Sequence, residues 1–463
     1  MHDRMPDRLV LPFRRAELVA TVRLALPVVI VQIGLMAMGV VDTMVVGRLS
    51  AEALAGVALG NLYFISVCSG SWGLLLALDP LVAQAVGARD KVAVVRAVQR
   101  GLILAAVLSL PGMVMMVPGE MVLPVLGQSA AVVPTAATYA RIIAPSLPAF
   151  LAFVVFRQAL QAMGQMWPIV IVIVVANLLN AVLDWVLVFG RLGWPALGAP
   201  GSAWATLACR WLMALGLLVV ARGELAALLR RLDPAVLELR PLLRMVRLGL
   251  PIGVQLQLEL AAFGVIALLM GGLGAVTMSA HQVAITLASL TYMVPLGVSA
   301  ACAVLVGHAV GRADPAEMRR FAAAGLVCGG GFMAACALTL VGLPGLLAAA
   351  FTSVPEVRLL AAALIPVAGF FQVFDGLQVV AAGILRGLGD TRVPMVVNLL
   401  GFWVVGLPVS LLLGFALDLG PIGLWWGFVA GLGAVAALLL GRVTRRLRGP
   451  IRRVLVEGPQ QEP

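Results

Sequence analysis

Several acidic residues stand inside long apolar runs of the chain, where an ionisable side chain is costly and usually functional. Asp42 lies six residues before Arg48, and Asp184 lies seven residues before Arg191. With a helical rise of about 1.5 Å per residue, the two carboxylates would lie about 9 and 10 Å below the same end of their helices. Two carboxylates at a shared depth can exchange a small cation or a proton.

Polar residues accompany this first pair of acids. Asn177, Asn180 and Asp184 follow i, i+3, i+7 spacing, which places them on one face of a helix. Thr206, in the next apolar run, can add a hydroxyl oxygen. The pattern predicts a site for a small cation or an exchangeable proton. The alternative is that Asp42 and Asp184 are polar residues near helix ends that contact lipid headgroups or cap a loop.

A second pair of acids lies deeper. Glu259 is twelve residues past Arg247, and Asp375 is eleven residues before Arg386. These spacings place the carboxylates about 18 and 16 Å from the charged ends of their helices, too deep for the side chains to reach the interface. An ionised carboxylate at that depth needs a cation or hydrogen bonds to offset its desolvation. Tyr292 can supply an aromatic face or a phenol oxygen, or simply bond a neighbouring helix.

Other polar residues in the apolar runs receive structural interpretations. Asp79 directly precedes Pro80, and we expect its carboxylate to bond backbone groups that the proline leaves free. No other candidate metal ligands stand near His281 or His308 in the sequence, and both histidines are expected to be structural. Arg210 lies inside a run, away from the charged loops, and either pairs with an acid or extends to the interface. The sequence leaves its role open.

The composition places these acids in a membrane protein. Of 463 residues, 62% are hydrophobic and 11% are charged, whereas soluble proteins average about 25% charged residues. A spanning helix needs about 20 apolar residues, and the chain contains twelve such runs, the first of which lacks a signal-peptide cleavage site. Five cysteines show no metal or disulfide spacing. The sequence predicts an all-α polytopic membrane protein with twelve transmembrane helices and no room for a large soluble domain.

The positive charge is concentrated in particular loops. The chain has 32 basic and 21 acidic residues, a net charge of +11, and its basic residues cluster within 4–23, 89–100, 222–247, 312–320 and 442–453. This pattern favours contact with a membrane surface over nucleic acid. Because Lys and Arg mark the cytoplasmic side of a membrane protein, both termini are predicted to be cytoplasmic, as an even number of spans requires.

The chain repeats itself at a constant offset. Leu24-Ala-Leu-Pro27 opens the first span, and Leu248-Gly-Leu-Pro251 opens the seventh, 224 positions later. Residues 82–90 (VAQAVGARD) end the second span, and residues 306–314 (VGHAVGRAD) end the eighth at the same offset. Two anchors more than 60 residues apart at one offset indicate an internal duplication.

The duplication predicts two six-helix lobes. Their boundaries are 1–222 for the first lobe, 223–242 for a cytoplasmic linker, 243–444 for the second lobe and 445–463 for a cytoplasmic tail. Six spans return the chain to the same side, so the lobes are parallel repeats, and transporters of that build bind substrate between the lobes near the midplane. Arg157 and Arg386 are predicted to join the lobes or to contact lipid headgroups.

Three segments carry a resemblance to a known family: Met38–Ser50 (MGVVDTMVVGRLS), Leu78–Ala88 (LDPLVAQAVGA) and Leu385–Pro394 (LRGLGDTRVP). In this order and spacing the chain resembles the multidrug and toxic compound extrusion (MATE) family, nearest its NorM-like branch, over residues 20–445. The resemblance implies a secondary antiporter of the cell inner membrane that exports small organic cations, driven by inward flow of Na⁺ or H⁺, with no cofactor.

The resemblance also assigns residues. It implies cation binding in the second lobe by Glu259, Tyr292 and Asp375, cation binding in the first lobe by Asp42, Asn180, Asp184 and Thr206, and substrate contacts by Asp42, Gln282 and Asp375. Na⁺ would bind either at Glu259 and Asp375 or at Asp42 and Asp184. The chain departs from the pattern at Ser353 and Val354, where related members can carry further acids.

Three other functions are known for membrane proteins of this size: an enzyme, a flippase and a channel. An intramembrane protease or prenyl transferase needs HExxH, GxSxG or aspartate-rich motifs, which the sequence lacks. A flippase for lipid-linked oligosaccharides needs a basic central cavity, whereas this chain offers acids at the midplane, so the flippase is kept as the alternative. A passive channel is disfavoured, because it would require neither the duplication nor the buried acids. A monomer is expected, and carboxylates serve both Na⁺ and H⁺, so the coupling ion stays open.

Overall fold

The chain folds as a bundle of long α-helices. The computed structural model describes residues 13–125, 127–230, 233–450, 452–455 and 457. Within these residues twelve helices are long and apolar enough to cross a membrane. In chain order they are α1 Arg15–Val46, α2 Ala51–Gly87, α3 Lys91–Met116, α4 Val133–Ala162, α5 Trp167–Phe189, α6 Ala199–Val220, α7 Leu239–Gly272, α8 Ala275–Gly311, α9 Pro315–Gly342, α10 Pro355–Gly387, α11 Arg392–Ala416 and α12 Gly420–Arg448. The predicted all-α polytopic fold is confirmed.

Of the basic clusters noted in the sequence, Arg4, Arg8 and Arg231 lie outside the described residues.

The outer surface of the bundle suits hydrocarbon. Leu110, Leu338 and Leu359 are exposed over 65%, 76% and 78% of their surface. Soluble proteins rarely expose large contiguous apolar patches, whereas a lipid tail is as apolar as leucine. Together with the twelve apolar helices, this surface makes the chain a multi-pass membrane protein.

Some of the helices are interrupted at polar positions. A turn at Leu76 interrupts α2 just before Asp79, and the 3₁₀ turn Ala144–Ser146 interrupts α4. Such interruptions inside a membrane are tolerated where neighbouring protein groups satisfy the backbone. Pro27 and Pro251, which the sequence predicts to kink their helices, lie inside α1 and α7 without interrupting them.

The sequence repeat produces the same turn twice. Arg89 and Ala313 adopt left-handed backbone conformations, with φ of 57° and 56°. The following residues, Asp90 and Asp314, each accept a backbone hydrogen bond of 3.0 Å from the first turn of the next helix, as N-cap residues do. The backbone amide of Glu317 is the main group that holds the pKa of the Asp314 carboxyl below its usual value. Equivalent sequence segments thus fold alike.

We call the helices before the predicted linker the N-lobe (α1–α6) and those after it the C-lobe (α7–α12). A large hydrophobic cluster fills the N-lobe and reaches Met245 at the start of α7. A separate cluster from Ala262 to Leu432 fills the C-lobe. A third cluster packs Ala25 of α1 against C-lobe helices. Each lobe therefore has a core of its own, and the lobes also share an interface.

Glycines allow the lobes to approach closely. A side chain at Gly249 of α7 would overlap the carbonyl oxygen of Leu74 in α2, and one at Gly73 would overlap Gly253. Gly87 meets the backbone of His308 in α8 in the same way. Small residues are the usual means by which membrane helices pack backbone against backbone. All of these contacts lie in the half of the bundle where α1 begins and α12 ends, which we call the terminal end.

Polar contacts also join the lobes at the terminal end, and we call this group the terminal seal. The Gln84 side chain of α2 donates to the Gly387 carbonyl oxygen (2.8 Å) and accepts from the Val454 amide (2.7 Å). Three further contacts complete the seal: Glu17–Arg320 at 2.7 Å, Asp79–Arg386 at 3.0 Å, and His308 Nε2 with the Ala162 carbonyl oxygen at 2.7 Å. The lobes are thus fastened together at that end of the bundle.

Asp79 does not play the role expected from the sequence. Its carboxylate accepts a hydrogen bond from Gln158 and pairs with Arg386 of the C-lobe. The expectation that it satisfies backbone freed by Pro80 is wrong, because a partner from the other lobe takes that place. The expectation that Arg386 joins the lobes is confirmed, while Arg157 bonds Gln32 within the N-lobe at 3.0 Å.

We expect Gly249→Val to weaken the terminal end, because the new side chain meets the Leu74 backbone, which cannot yield as a side chain would. Overpacking of this kind typically costs about 1–3 kcal/mol. The matched control is Gly264→Val on the same helix, where a side chain meets nothing within 4 Å. Thermal unfolding in detergent micelles measures the difference. Equal melting temperatures for the two variants would contradict the interface described here.

Candidate functional site

The first predicted cluster of polar residues assembles inside the N-lobe around Asp42. Asn180 Nδ2 of α5 donates to Asp42 Oδ1 at 3.1 Å, and Thr206 Oγ1 of α6 donates to Asp42 Oδ2 at 2.9 Å. All three side chains are buried, and so is Asp184. Helices α1, α5 and α6 therefore bring together the four residues that the sequence proposes for this lobe.

Asp184 is fully buried and lies beside Asp42 and Ser202. The Asp42 and Ser202 side chains lie within hydrogen-bonding range of this carboxylate, but within the described part of the chain neither of its oxygens has a partner with hydrogen-bond geometry. The side-chain amide oxygen of Asn180 (Oδ1) and the hydroxyl oxygen of Ser202 are also buried without a partner in the described residues. Because buried polar atoms are almost always satisfied, these oxygens indicate a group that completes them.

The chemistry of this oxygen set fits a small hard cation or a proton. Hard cations take carboxylate, carbonyl and hydroxyl oxygens as ligands, and the cluster supplies each kind from Asp42, Asp184, Asn180 and Ser202. The described residues contain no group of three or more His, Cys, Asp or Glu side chains placed to hold a metal ion, so a cation here would depend on the amide and hydroxyl oxygens beside the two carboxylates. The sequence analysis missed Ser202, although it stands four residues before Thr206 on α6 and so on the same helix face.

Arg210 lies near the N-lobe cluster, on the wall of the same cavity. Its Nη1 donates to the Ser146 hydroxyl at 3.0 Å, and its guanidinium carbon lies 3.7 Å from the centre of the Phe64 ring. Asp42, Thr206 and Arg210 line one cavity of about 210 Å³. The guanidinium therefore stays inside the N-lobe and does not extend to the membrane–water interface.

A second cavity, of about 330 Å³, lies between the lobes. Glu259 of α7 and Tyr292 of α8 line it, and residues of α2, α10 and α11 complete its walls. Asp375 is buried behind this wall and accepts a hydrogen bond from Gln378, which does line the cavity, at 3.2 Å. Asp375 is also the charged neighbour of Glu259. The second predicted cluster is thus brought together at the lobe interface, with Asp375 one residue removed from the open space.

Helix α2 faces both cavities. Ile65 and Trp72 line the N-lobe cavity and the inter-lobe cavity alike. A change of α2 position therefore alters the shape of both spaces. This shared wall gives a physical link between the two acid pairs, which the sequence did not reveal because it depends on how the lobes dock.

Gln282 and the two histidines lie apart from both cavities. Gln282 is exposed on α8, near the end opposite the terminal end, and bonds Thr286 one turn along at 3.4 Å. The His281 ring packs against Trp425 with centroids 5.6 Å apart, and His308 belongs to the terminal seal. These contacts agree with structural roles for the histidines. They do not place Gln282 beside Glu259 or Asp375.

Comparison with known proteins gives one consistent result. The sequence model of the MatE family matches residues 27–186 and 251–412. A probable multidrug resistance protein NorM of Mesorhizobium japonicum is 39% identical over 94% of this chain and 95% of its own. The multidrug resistance protein PmpM of Pseudomonas aeruginosa is 36% identical over 95% and 93%. The crystal structure of the eukaryotic MATE transporter AtDTX14 superposes with a TM-score of 0.85 at 25% identity, covering 94% of this chain and 98% of that one.

We expect Thr206→Val to destabilise the protein, because the buried Asp42 carboxylate loses one of its two hydrogen bonds. Leaving a buried acceptor unsatisfied costs about 1–3 kcal/mol. The control is Thr339→Val, whose exposed hydroxyl bonds only the Ala335 carbonyl oxygen of its own helix. Unfolding in detergent micelles distinguishes the two. If Thr206→Val were as stable as the control, Asp42 would not depend on that bond.

Proposed function

The chain belongs to the MatE family of multidrug efflux antiporters, and from this premise we propose that it exports cationic and amphiphilic drugs in exchange for inward Na⁺ or H⁺. The observation that carries the proposal is the pairing of an inter-lobe cavity, lined by Glu259, with buried oxygens of Asp184 that have no partner in the described residues. The first feature suits a cationic drug, and the second suits the ion that exchanges for it.

The orientation follows from charge. Basic residues at 89–100, 312–320 and 442–453 lie at the terminal end, and an excess of Lys and Arg marks the cytoplasmic face. We therefore assign the terminal end to the cytoplasm and the chain to the cell inner membrane. With that assignment, the terminal seal closes the cytoplasmic side.

The inter-lobe cavity has the chemistry that an organic cation requires. Its walls combine the Glu259 carboxylate and the Tyr292 ring with apolar side chains such as Trp72 and Phe263. Aromatic faces and a carboxylate attract a cation together, while apolar walls accept the rest of an amphiphile. Asp375 adds a second negative charge behind Gln378. Gln282 and Asp42 would contact substrate at other stages of transport.

Coupling arises from competition for negative charge. A cation or proton that binds at Asp42 and Asp184, or at Glu259 and Asp375, cancels charge that would otherwise attract the drug. The drug then leaves to the outside, and the ion travels inward. Such coupling is reciprocal, so the drug weakens ion binding by the same factor.

Alternating access requires the terminal seal to open. The Asp79–Arg386 pair and the Gln84–Gly387 hydrogen bond join one lobe to the other, so both must break when the cytoplasmic side opens. Because each lobe has its own hydrophobic core, the lobes can move as units. This is the rocking motion of transporters built from parallel repeats, and it supports the predicted division at residues 223–242.

The flippase alternative is not favoured. A flippase for anionic pyrophosphate carriers needs a cavity with free positive charge. Arg386 lines the inter-lobe cavity, but it pairs with Asp79, and Glu259 adds negative charge there. The named relatives are multidrug resistance proteins, and the family is one of transporters, not enzymes.

We expect Asp375→Asn to reduce drug transport to background while the protein stays folded and inserted, because the amide is isosteric but carries no charge for a cation to neutralise. Glu356→Gln is the matched control, since Glu356 is exposed at the start of the same helix. Dye efflux from cells that express each variant, normalised to protein in the membrane, measures the effect. Wild-type efflux by Asp375→Asn would remove Asp375 from the site.

Reciprocity gives a second expected outcome. Saturating ethidium should weaken binding of the coupling ion to the purified protein by the factor by which that ion weakens ethidium binding. Fluorescence titration of ethidium, with and without the ion, gives one factor, and ion titration with and without ethidium gives the other. An ion affinity that saturating ethidium leaves unchanged would rule out competition between drug and ion.

A further inference from the structure

The last described residues of the chain cross from the C-lobe to the N-lobe at the terminal end. Helix α12 ends at Arg448 and is followed directly by a Gly-Pro pair, which stops a helix because proline cannot continue it. The Arg319 side chain of α9 donates to the Leu447 carbonyl oxygen at 2.9 Å, so the end of α12 is held to its own lobe. We call residues 452–455 and 457, which follow this end, the tail strap.

The charged residues of the tail strap find their partners in the N-lobe. Arg453 Nη2 donates to Asp90 Oδ2 at 2.9 Å. The Glu457 carboxylate lies 2.7 Å from Arg96 Nη1 and 3.2 Å from Arg100 Nη1. All three partners lie in α3 or directly before it. The strap is therefore rooted on the C-lobe and fastened to the N-lobe.

Val454 lies between the lobes in the middle of the strap. Its amide donates to the Gln84 side chain of α2 at 2.7 Å, and its side chain packs against the N-lobe core. The same side chain occupies the space that a side chain at Gly389 of the C-lobe would need. Gly389 has a φ of 74°, which glycine adopts without strain. The strap thus adds an apolar contact with both lobes to its ion pairs.

The same two arginines of α3 also hold the linker between the lobes. Arg96 Nε pairs with the Asp233 carboxylate at 2.6 Å, and Arg100 Nη2 donates to the Ala235 carbonyl oxygen at 2.9 Å. Asp233 and Ala235 belong to the predicted linker, 223–242. The lobes are therefore connected twice at the terminal end, covalently by the linker and non-covalently by the tail strap. Only the strap can be released when the lobes move apart.

We propose that the tail strap is a built-in restraint on the opening of the terminal end, which must let go of the N-lobe each time that end opens. The proposal rests on the proposed function, because this opening is one step of alternating access. Ion pairs between partly exposed side chains are individually weak, and each changes an equilibrium constant by a factor of roughly 1.4–5. Several of them together bias the equilibrium toward the closed end without locking it.

The test measures the separation of the lobes in the full-length protein in lipid nanodiscs. Nitroxide labels are placed on Gln165→Cys of the N-lobe and Ala316→Cys of the C-lobe, two exposed positions at the terminal end that are not part of the strap. The five native cysteines are replaced in this background. Double electron–electron resonance then gives the populations of short and long distances, and hence the ratio of open to closed molecules.

We expect Arg453→Gln and Glu457→Gln each to raise the ratio of open to closed molecules by a factor of about 2–5, and the double variant to raise it roughly ten-fold. The matched control is Arg452→Gln, which removes the same charge from the neighbouring residue. Arg452 is exposed, and the ion pairs of the described residues do not include it. Its ratio should equal that of the unsubstituted strap.

Salt gives a second measurement that keeps the strap sequence intact. Added potassium chloride screens partly exposed ion pairs, so it should raise the open population of the unsubstituted strap toward that of Arg453→Gln/Glu457→Gln. The double variant has lost these pairs and should respond much less. Because this comparison can be made with the native strap alone, it stands even if a variant fails to insert.

Three results would overturn the proposal: equal open populations with and without the strap charges, an Arg452→Gln variant that opens as far as Arg453→Gln, or a native strap that does not respond to salt. The distance measurement needs no transport, so failure of the strap and failure of the proposed function are distinguishable. Gradient-driven ethidium transport with unchanged open populations would reject the strap alone. Strap variants that open more, in a protein that moves no ethidium under either gradient, would support the strap and reject the antiporter.

Discussion

The structure depends on one constraint: a charge inside the hydrocarbon layer must be compensated. The protein meets it in two different ways. Asp79 is compensated by protein groups, Arg386 and Gln158, and its pair with Arg386 joins the two lobes. Asp184 is buried just as deeply, but its oxygens have no partner among the described residues. A mobile ion can complete a charge that the fold leaves without a partner, and we propose that this difference separates Asp79, a structural acid, from Asp184, an exchanging one.

The packing of the two lobes sets where these charges lie and how the lobes are joined. Glycines on α2 and α7 let the lobes meet backbone to backbone at the terminal end, so a small set of contacts holds the closed side. Each lobe also has a hydrophobic core of its own. Helix α2 borders both cavities through Ile65 and Trp72, so the inter-lobe cavity and the N-lobe cavity share a wall. Under the proposed function, ion binding in the N-lobe cavity and drug binding in the inter-lobe cavity would influence each other through this helix.

Local periodicity and depth predicted much of this arrangement. The spacing of Asn180 and Asp184 on one helix, at the depth of Asp42, was enough to foresee the N-lobe cluster, and Thr206 joined it as expected. Ser202 obeys the same periodicity and could have been found. The partner of Asp79 could not, because Arg386 comes from the other lobe, and no local pattern encodes how two lobes dock. The contacts of Arg210 with Phe64 and Ser146 are equally non-local. Gln282, which the resemblance assigned to the substrate site, lines neither cavity in the structure.

The most direct test of the account is ethidium movement in proteoliposomes that contain the purified protein, with an imposed Na⁺ gradient and an imposed pH gradient applied in separate experiments. If the protein exchanges a drug for a cation, one of the two gradients drives ethidium against its own concentration gradient, and this gradient identifies the coupling ion. If neither gradient moves the dye although the protein is folded and oriented, exchange of a drug for a cation at the buried acids is contradicted.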